Sequence, residues 1–200
     1  MKGDMVLLGK YPQGAKGEIL PLEWRVLDEC DGMALLITDK VIDCMPYHEE
    51  AANITWENCT LRAWLHTEFL HEAFSEDERG RIAAVTNPNP SNVRYGTEGG
   101  NATSDRIFLL SIDEVKQYFS SDSAMCAVAV PAVKSGSYTV RIDKNSGGCS
   151  PWWLRSPGYR PPDALARNAS YVCGVGGVKD YGFLVDYFKV GIRPACWVRV

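Results

Sequence analysis

Three histidines and seven cysteines are the side chains with which this 200-residue chain could bind a metal or attack a substrate, and neither set has the spacing such chemistry needs. His66 and His71 stand five apart on a helical stretch. They do not share a face as ligands four apart would, so both read as solvated helix residues. His48 has no recognisable catalytic neighbour. Cys30, Cys44, Cys59, Cys126, Cys149, Cys173 and Cys196 are scattered without a C-x-x-C pair, which argues against zinc and for mostly small, buried apolar residues. The carboxylates of Glu76-Asp77-Glu78 fall in the first turn of a helix, where negative charge suits the dipole. No nucleophile elbow, P-loop or dinucleotide fingerprint is present, and Gly174-Val175-Gly176-Gly177 reads as a turn between strands. The expectation is therefore no catalytic residue, no metal and no cofactor.

Composition narrows the class. With 46% apolar and 23% charged residues, the chain fits a single domain over residues 1–200 with enough material for a sizeable core. A net charge of -4 lacks the basic field that phosphate-dominated binding needs, so no nucleic-acid partner is expected. No apolar run approaches the roughly 18–20 residues of a membrane helix, so no membrane insertion is expected. The odd cysteine count and the opening Met1-Lys2-Gly3-Asp4 predict reduced thiols in an intracellularly assembled protein, either cytoplasmic or held on a virion or cell surface through a partner.

The elements that must position any site follow from periodicity. Met5–Tyr11 predicts a strand, and residues 23–28 and 32–38 a hairpin around Asp31-Gly32, with Trp24 in the core. Thr55 is placed as the cap of a helix burying Leu61, Trp64, Leu65 and Phe69. The capping box at Ser75 predicts a helix running through Ile82 to Val85, ended by Asn87-Pro88-Asn89-Pro90. Residues 91–104 read as a mobile loop, Arg106–Leu110 as a strand, and Ser111 as the cap of a further helix. Ala124–Val133 is small and apolar, and Tyr138–Ile142 alternates.

The last fifty residues, 151–200, differ in character. Trp152-Trp153-Leu154-Arg155-Ser156-Pro157-Gly158 and Gly191-Ile192-Arg193-Pro194-Ala195-Cys196-Trp197 bracket a span rich in Tyr, Arg, Asp, Asn and Gly. Trp152, Trp153 and Trp197 are expected in the core, with Arg155 and Arg193 bonded within the framework. Tyr171, Val172, Leu184 and Val185 are expected to fill a sheet face, whereas Asp180-Tyr181 and Asp186-Tyr187-Phe188 are expected at exposed loop tips. Aromatic contact area interleaved with short polar groups is the makeup of a paratope. The predicted ligand-binding residues are Tyr159, Arg160, Pro161, Pro162, Asp163, Arg167, Asn168, Cys173, Val175, Asp180, Tyr181, Phe183, Asp186, Tyr187 and Phe188. The segment carries seven Lys and Arg against three Asp, which favours an acidic partner surface.

These two framework motifs, together with Gly9-Lys10-Tyr11-Pro12-Gln13, Glu23-Trp24-Arg25-Val26-Leu27, Leu61-Arg62-Ala63-Trp64-Leu65 and Ile107-Phe108-Leu109-Leu110-Ser111, resemble C-type lectin-like domains of the formylglycine-generating-enzyme type. The resemblance extends to an uncharacterised bacterial domain family and to the variable proteins of diversity-generating retroelements. It implies an α+β, C-type lectin-like fold with small twisted antiparallel sheets, two main helices and long C-terminal loops. It further implies a non-enzymatic protein whose C-terminal face, diversified by adenine-directed mutagenesis, binds an unknown ligand, expected to be a protein surface.

Randomising the first two bases of AAC or AAT codons cannot yield Glu, Lys, Gln, Met or Trp. Between Tyr159 and Phe188 none of these occurs except Lys179. The resemblance also leaves two alternatives, an oxidoreductase like the formylglycine-generating enzymes and a cell-envelope accessory module with a fixed partner. Against the first, Cys149, Cys173 and Cys196 are too far apart in sequence to match that family's closely spaced copper-binding pair. The Glu-Pro-Asn and Trp-Asn-Asp motifs of calcium-dependent lectins are absent as well.

Overall fold

Along the chain the strands and helices are β1 (Met5–Pro12), β2 (Ile19–Cys30), β3 (Met33–Thr38), β4 (Asp43–Cys44), α1 (Thr60–Trp64), α2 (Leu70–Ala73), α3 (Glu76–Arg81), β5 (Ile82–Ala83), β6 (Val85–Asn87), β7 (Thr103–Asp105), α4 (Ile112–Tyr118), α5 (Asp122–Met125), α6 (Pro131–Ser135), β8 (Trp152–Pro157), β9 (Asn168–Val172), β10 (Val178–Leu184), β11 (Gly191–Ile192) and β12 (Ala195–Arg199). The computed structural model describes residues 1–135, 139–141, 147–159, 161 and 165–200.

The fold is α+β. One sheet has the order β1-β2-β3-β12-β5 and is antiparallel throughout; a second has the order β10-β9-β8-β11-β4, and β6 pairs with β7 alone. Within the second sheet only β11 and β8 run parallel. The C-terminal motif joins the two sheets, because β11 lies in one and β12 lies between β3 and β5 in the other. Apolar side chains from both sheets and the helices share one buried cluster.

Local chemistry explains most boundaries. The β2–β3 hairpin turns at Asp31 and Gly32, both with positive φ, as a tight two-residue turn requires. Trp24 is fully buried and donates its indole N–H to the Leu8 carbonyl at 2.8 Å. Ser75 and Ser111 each form a complete capping box with the Glu three residues on.

Several expectations fail, each for a physical reason. Thr55 makes no side-chain cap; it precedes a 3-10 turn, and α1 is capped by the Cys59 sulfur, which accepts from the Arg62 amide. A π-helical turn, Leu65–Phe69, follows α1, and Trp64 is only half-buried. The α3 helix stops at Arg81 because Ile82 and Ala83 pair with β12 instead. Ile107–Leu110 is fully buried yet forms no strand, touching the sheet through one bridge, Phe108 to Ala195. The neighbouring strand is polar: Thr103–Asp105.

Residues 91–104 are tied down rather than left free. Asp105, whose side chain is completely buried, accepts hydrogen bonds from Thr103, Asn87, Trp56 and Arg62, the last at 2.6 Å. Burial alone would raise its carboxyl pKa, but these four donors outweigh that and hold it below the ordinary value. His66, expected in solvent, sits half-buried beside this carboxylate, and burial lowers its pKa.

Candidate ligand-binding site

The site rises from the free edge of the second sheet. Strand β8 is buried along its whole length, with Trp152 and Trp153 at no exposure and their indole N–H groups donated to the carbonyls of Met125 and Met45. Arg155 is buried against Glu114 and the Leu109 carbonyl, and Arg193 donates to the carbonyls of Thr38 and Met125. Both arginines belong to the framework, as expected, while Trp197 is only half-buried. With Arg155 and Arg193 internal, the cationic excess of the segment is smaller at the surface than the sequence implied. Asp180 is in turn paired with Arg94 at 3.3 Å.

Strand β9 lies over β8, and β10 is the outer strand. Between Lys179 and Phe183 their register shifts at Gly182, whose positive φ and close approach to the Ala169 carbonyl exclude a side chain. Asp180 and Tyr181, expected at a loop tip, therefore lie inside β10. Leu184 is exposed rather than filling a sheet face, whereas Tyr171, Val172 and Val185 are buried.

The predicted residues gather into two neighbourhoods. In the first, the Asn168 side-chain amide donates to the carbonyls of Tyr159 and Tyr181, each at 3.0 Å, and Tyr159 stacks on Tyr95 with centroids 4.5 Å apart. Asn92, from the loop expected to be mobile, donates its buried amide to the carbonyls of Pro157 and Asp180. A recess of about 270 Å³ lies here, its lining including Asn92, Arg94, Lys116 and Asp180.

The second neighbourhood is aromatic. Tyr171 and Phe183 stack at 4.1 Å, Phe183 meets Tyr187 at 4.7 Å, and Tyr187 meets Phe188 at 6.1 Å. Burial, then a hydrogen bond with the Tyr181 hydroxyl, raises the Tyr171 phenol. A cavity of about 230 Å³ is lined by Cys173, Val175, Phe183 and Tyr171 together with the cations of Arg141 and Lys179. A third cation, Lys189, lies over the Phe188 ring. Tyr181, Phe188 and Val175 are 46%, 43% and 48% exposed and give this region apolar surface open to solvent. The chemistry on offer is stacking and attraction of an anionic group; the described residues lining this cavity include no histidine and no carboxylate.

Pro161 and Arg167 are exposed beside these groups along the chain, and Asp186 is half-buried in the turn after β10. Tyr187, expected at a tip, is half-buried and packs on the core. Arg160, Pro162 and Asp163 lie outside the described residues. The sequence reading missed Asn92, Arg94 and Tyr95, whose signal was an Asn- and Pro-rich loop carrying an Arg-Tyr pair, and it missed Arg141.

The chain belongs to the DUF6273 family, a domain of unknown function, whose family model matches residues 31–200. No curated protein and no solved structure matches it.

Proposed function

We propose that this DUF6273 domain is a non-enzymatic ligand-binding protein on a C-type lectin-like scaffold, and that it is the variable protein of a diversity-generating retroelement. Its ligand is a protein surface, met by the outer edge of the second sheet. The observation that carries this reading is the contrast between a fully buried β8 and the exposed Val175, Tyr181 and Phe188 on the elements outside it. A diversified binder needs that division, since the frame must stay fixed while its outer positions vary. Arg141, Lys179 and Lys189 beside the aromatic ladder favour an acidic patch on the partner.

The encoding locus tests the reading. A reverse-transcriptase gene and a near-repeat of the 3′ end differing at adenines are expected nearby. The differing codons should specify exposed positions such as Val175, Tyr181 and Phe188, and spare Trp152 to Gly158. A locus with neither feature, or substitutions falling in β8, removes the diversification and leaves a binder with one fixed partner.

A further inference from the structure

Three cysteines that are distant in sequence approach one another beside the second sheet. An antiparallel bridge between Val128 and Cys149, and a 2.8 Å hydrogen bond from the Ser150 amide to the Ala127 carbonyl, lay segment 126–128 along 149–151. Cys149 stands opposite Val128, and Cys126, two residues before Val128, is its diagonal neighbour on the same side; Cys149 and Cys173 both lie close enough to raise the Cys126 thiol. All three are partly accessible, whereas Cys44, Cys59 and Cys196 are buried. Among the described residues no group of three potential ligands is arranged to hold a metal.

Two neighbours bear on their chemistry. The Arg193 guanidinium is 1% exposed, bonds only to the carbonyls of Thr38 and Met125, and has no ion-pair partner among the described residues. Asp39 is the opposite charge that acts on it most, and the guanidinium's own pull on the Cys126 thiol is outweighed by the burial that raises that group. Gly147 and Gly148 precede Cys149 with positive φ and open space around them, so this backbone can shift by the small distance a sulfur–sulfur bond requires.

We propose that Cys126 and Cys149 form a thiol–disulfide exchange site that reacts with low-molecular-weight disulfides of the glutathione type. Cys149 loses its proton to water, and its sulfur attacks glutathione disulfide. A protein–glutathione bond forms as the glutathione disulfide bond breaks and one glutathione thiolate leaves. Cys126, losing its own proton, attacks the Cys149 sulfur and expels the second glutathione thiolate. Two protein thiols are oxidised and one disulfide is reduced to two thiols, the two protons passing to the leaving groups. Cys126 is the resolving sulfur, since its S–H is held by the Gly174 carbonyl, and burial raises that thiol besides. Oxidation also removes the hydrogen bond that Cys126 gives the Gly174 carbonyl at 3.6 Å, in a turn that lines the aromatic cavity.

The site stands independently of the ligand-binding reading. The test incubates the folded full-length chain in glutathione buffers of graded ratio, blocks free thiols and maps the peptides. A reversible Cys126–Cys149 link is expected, unaffected by C173S, and C126S should hold one glutathione on Cys149 with loss of the link. The proposal is overturned if both thiols stay free in excess glutathione disulfide, if the link runs to Cys173, or if it forms only in urea.

Discussion

The two ends of the aromatic inventory follow opposite rules. Trp24, Trp56, Trp152 and Trp153 are all fully buried, and each gives its indole N–H to a carbonyl or, for Trp56, to the Asp105 carboxylate. Tyr181 and Phe188 stand nearly half exposed at the edge of the second sheet, the Phe188 ring against Tyr187. A buried indole combines large apolar contact with a satisfied polar atom and so fixes the frame. An exposed ring contributes little to folding, and the proposed binding face draws on such rings. Phe183 and Tyr187, half-buried, form the seam between the two regimes.

That contrast can be broken most directly at Trp153. Truncating it to Ala should cost about 3–5 kcal/mol of unfolding free energy in a denaturant titration, from lost burial and a cavity. A cost near the ~0.5 kcal/mol of a surface change would mean that β8 is no rigid frame.

Next in size, Asp105→Asn should cost about 3 kcal/mol, because it strips the charge from a buried carboxylate that binds Arg62 and holds the 91–104 loop. This effect depends on pH. The folded pKa of Asp105 lies below the unfolded value of about 3.9, so its contribution is complete above that pH and fades as pH falls through the folded pKa. The gap between the parent and Asp105→Asn should therefore narrow on acidification. Asp43, whose pKa burial raises, works in the opposite sense in both proteins and cancels from the difference. A gap constant down to strongly acid pH would exclude the carboxylate as the source.

The smallest effects sharpen the other side. Tyr181→Ala with Phe188→Ala should leave stability within about 0.5 kcal/mol, while Tyr187→Ala, which removes a stacked half-buried ring, should cost about 1 kcal/mol. Thermal melts of the two variants decide this. A double variant that melts earlier than Tyr187→Ala would move the exposed pair into the frame.

What the sequence determined by itself were features carried by neighbours along the chain. Alternation around Asp31-Gly32 specified the β2–β3 hairpin, Ser-x-x-Glu specified two helix starts, and the Trp-Trp motif specified two core residues. Such signals are local in cause, so they are legible without the fold. The tertiary structure alone decided where polar chain is buried and where distant residues meet. Asn92 became part of the candidate site because its amide satisfies two carbonyls more than sixty residues away. Ile107–Leu110, as apolar as any strand, makes no ladder; Phe108 exchanges two backbone hydrogen bonds with Ala195, and the Leu109 and Leu110 carbonyls accept from Arg155. Cys126, Cys149 and Cys173 meet only because β8 and β9 draw their loops together, and no spacing rule registers a contact made through space.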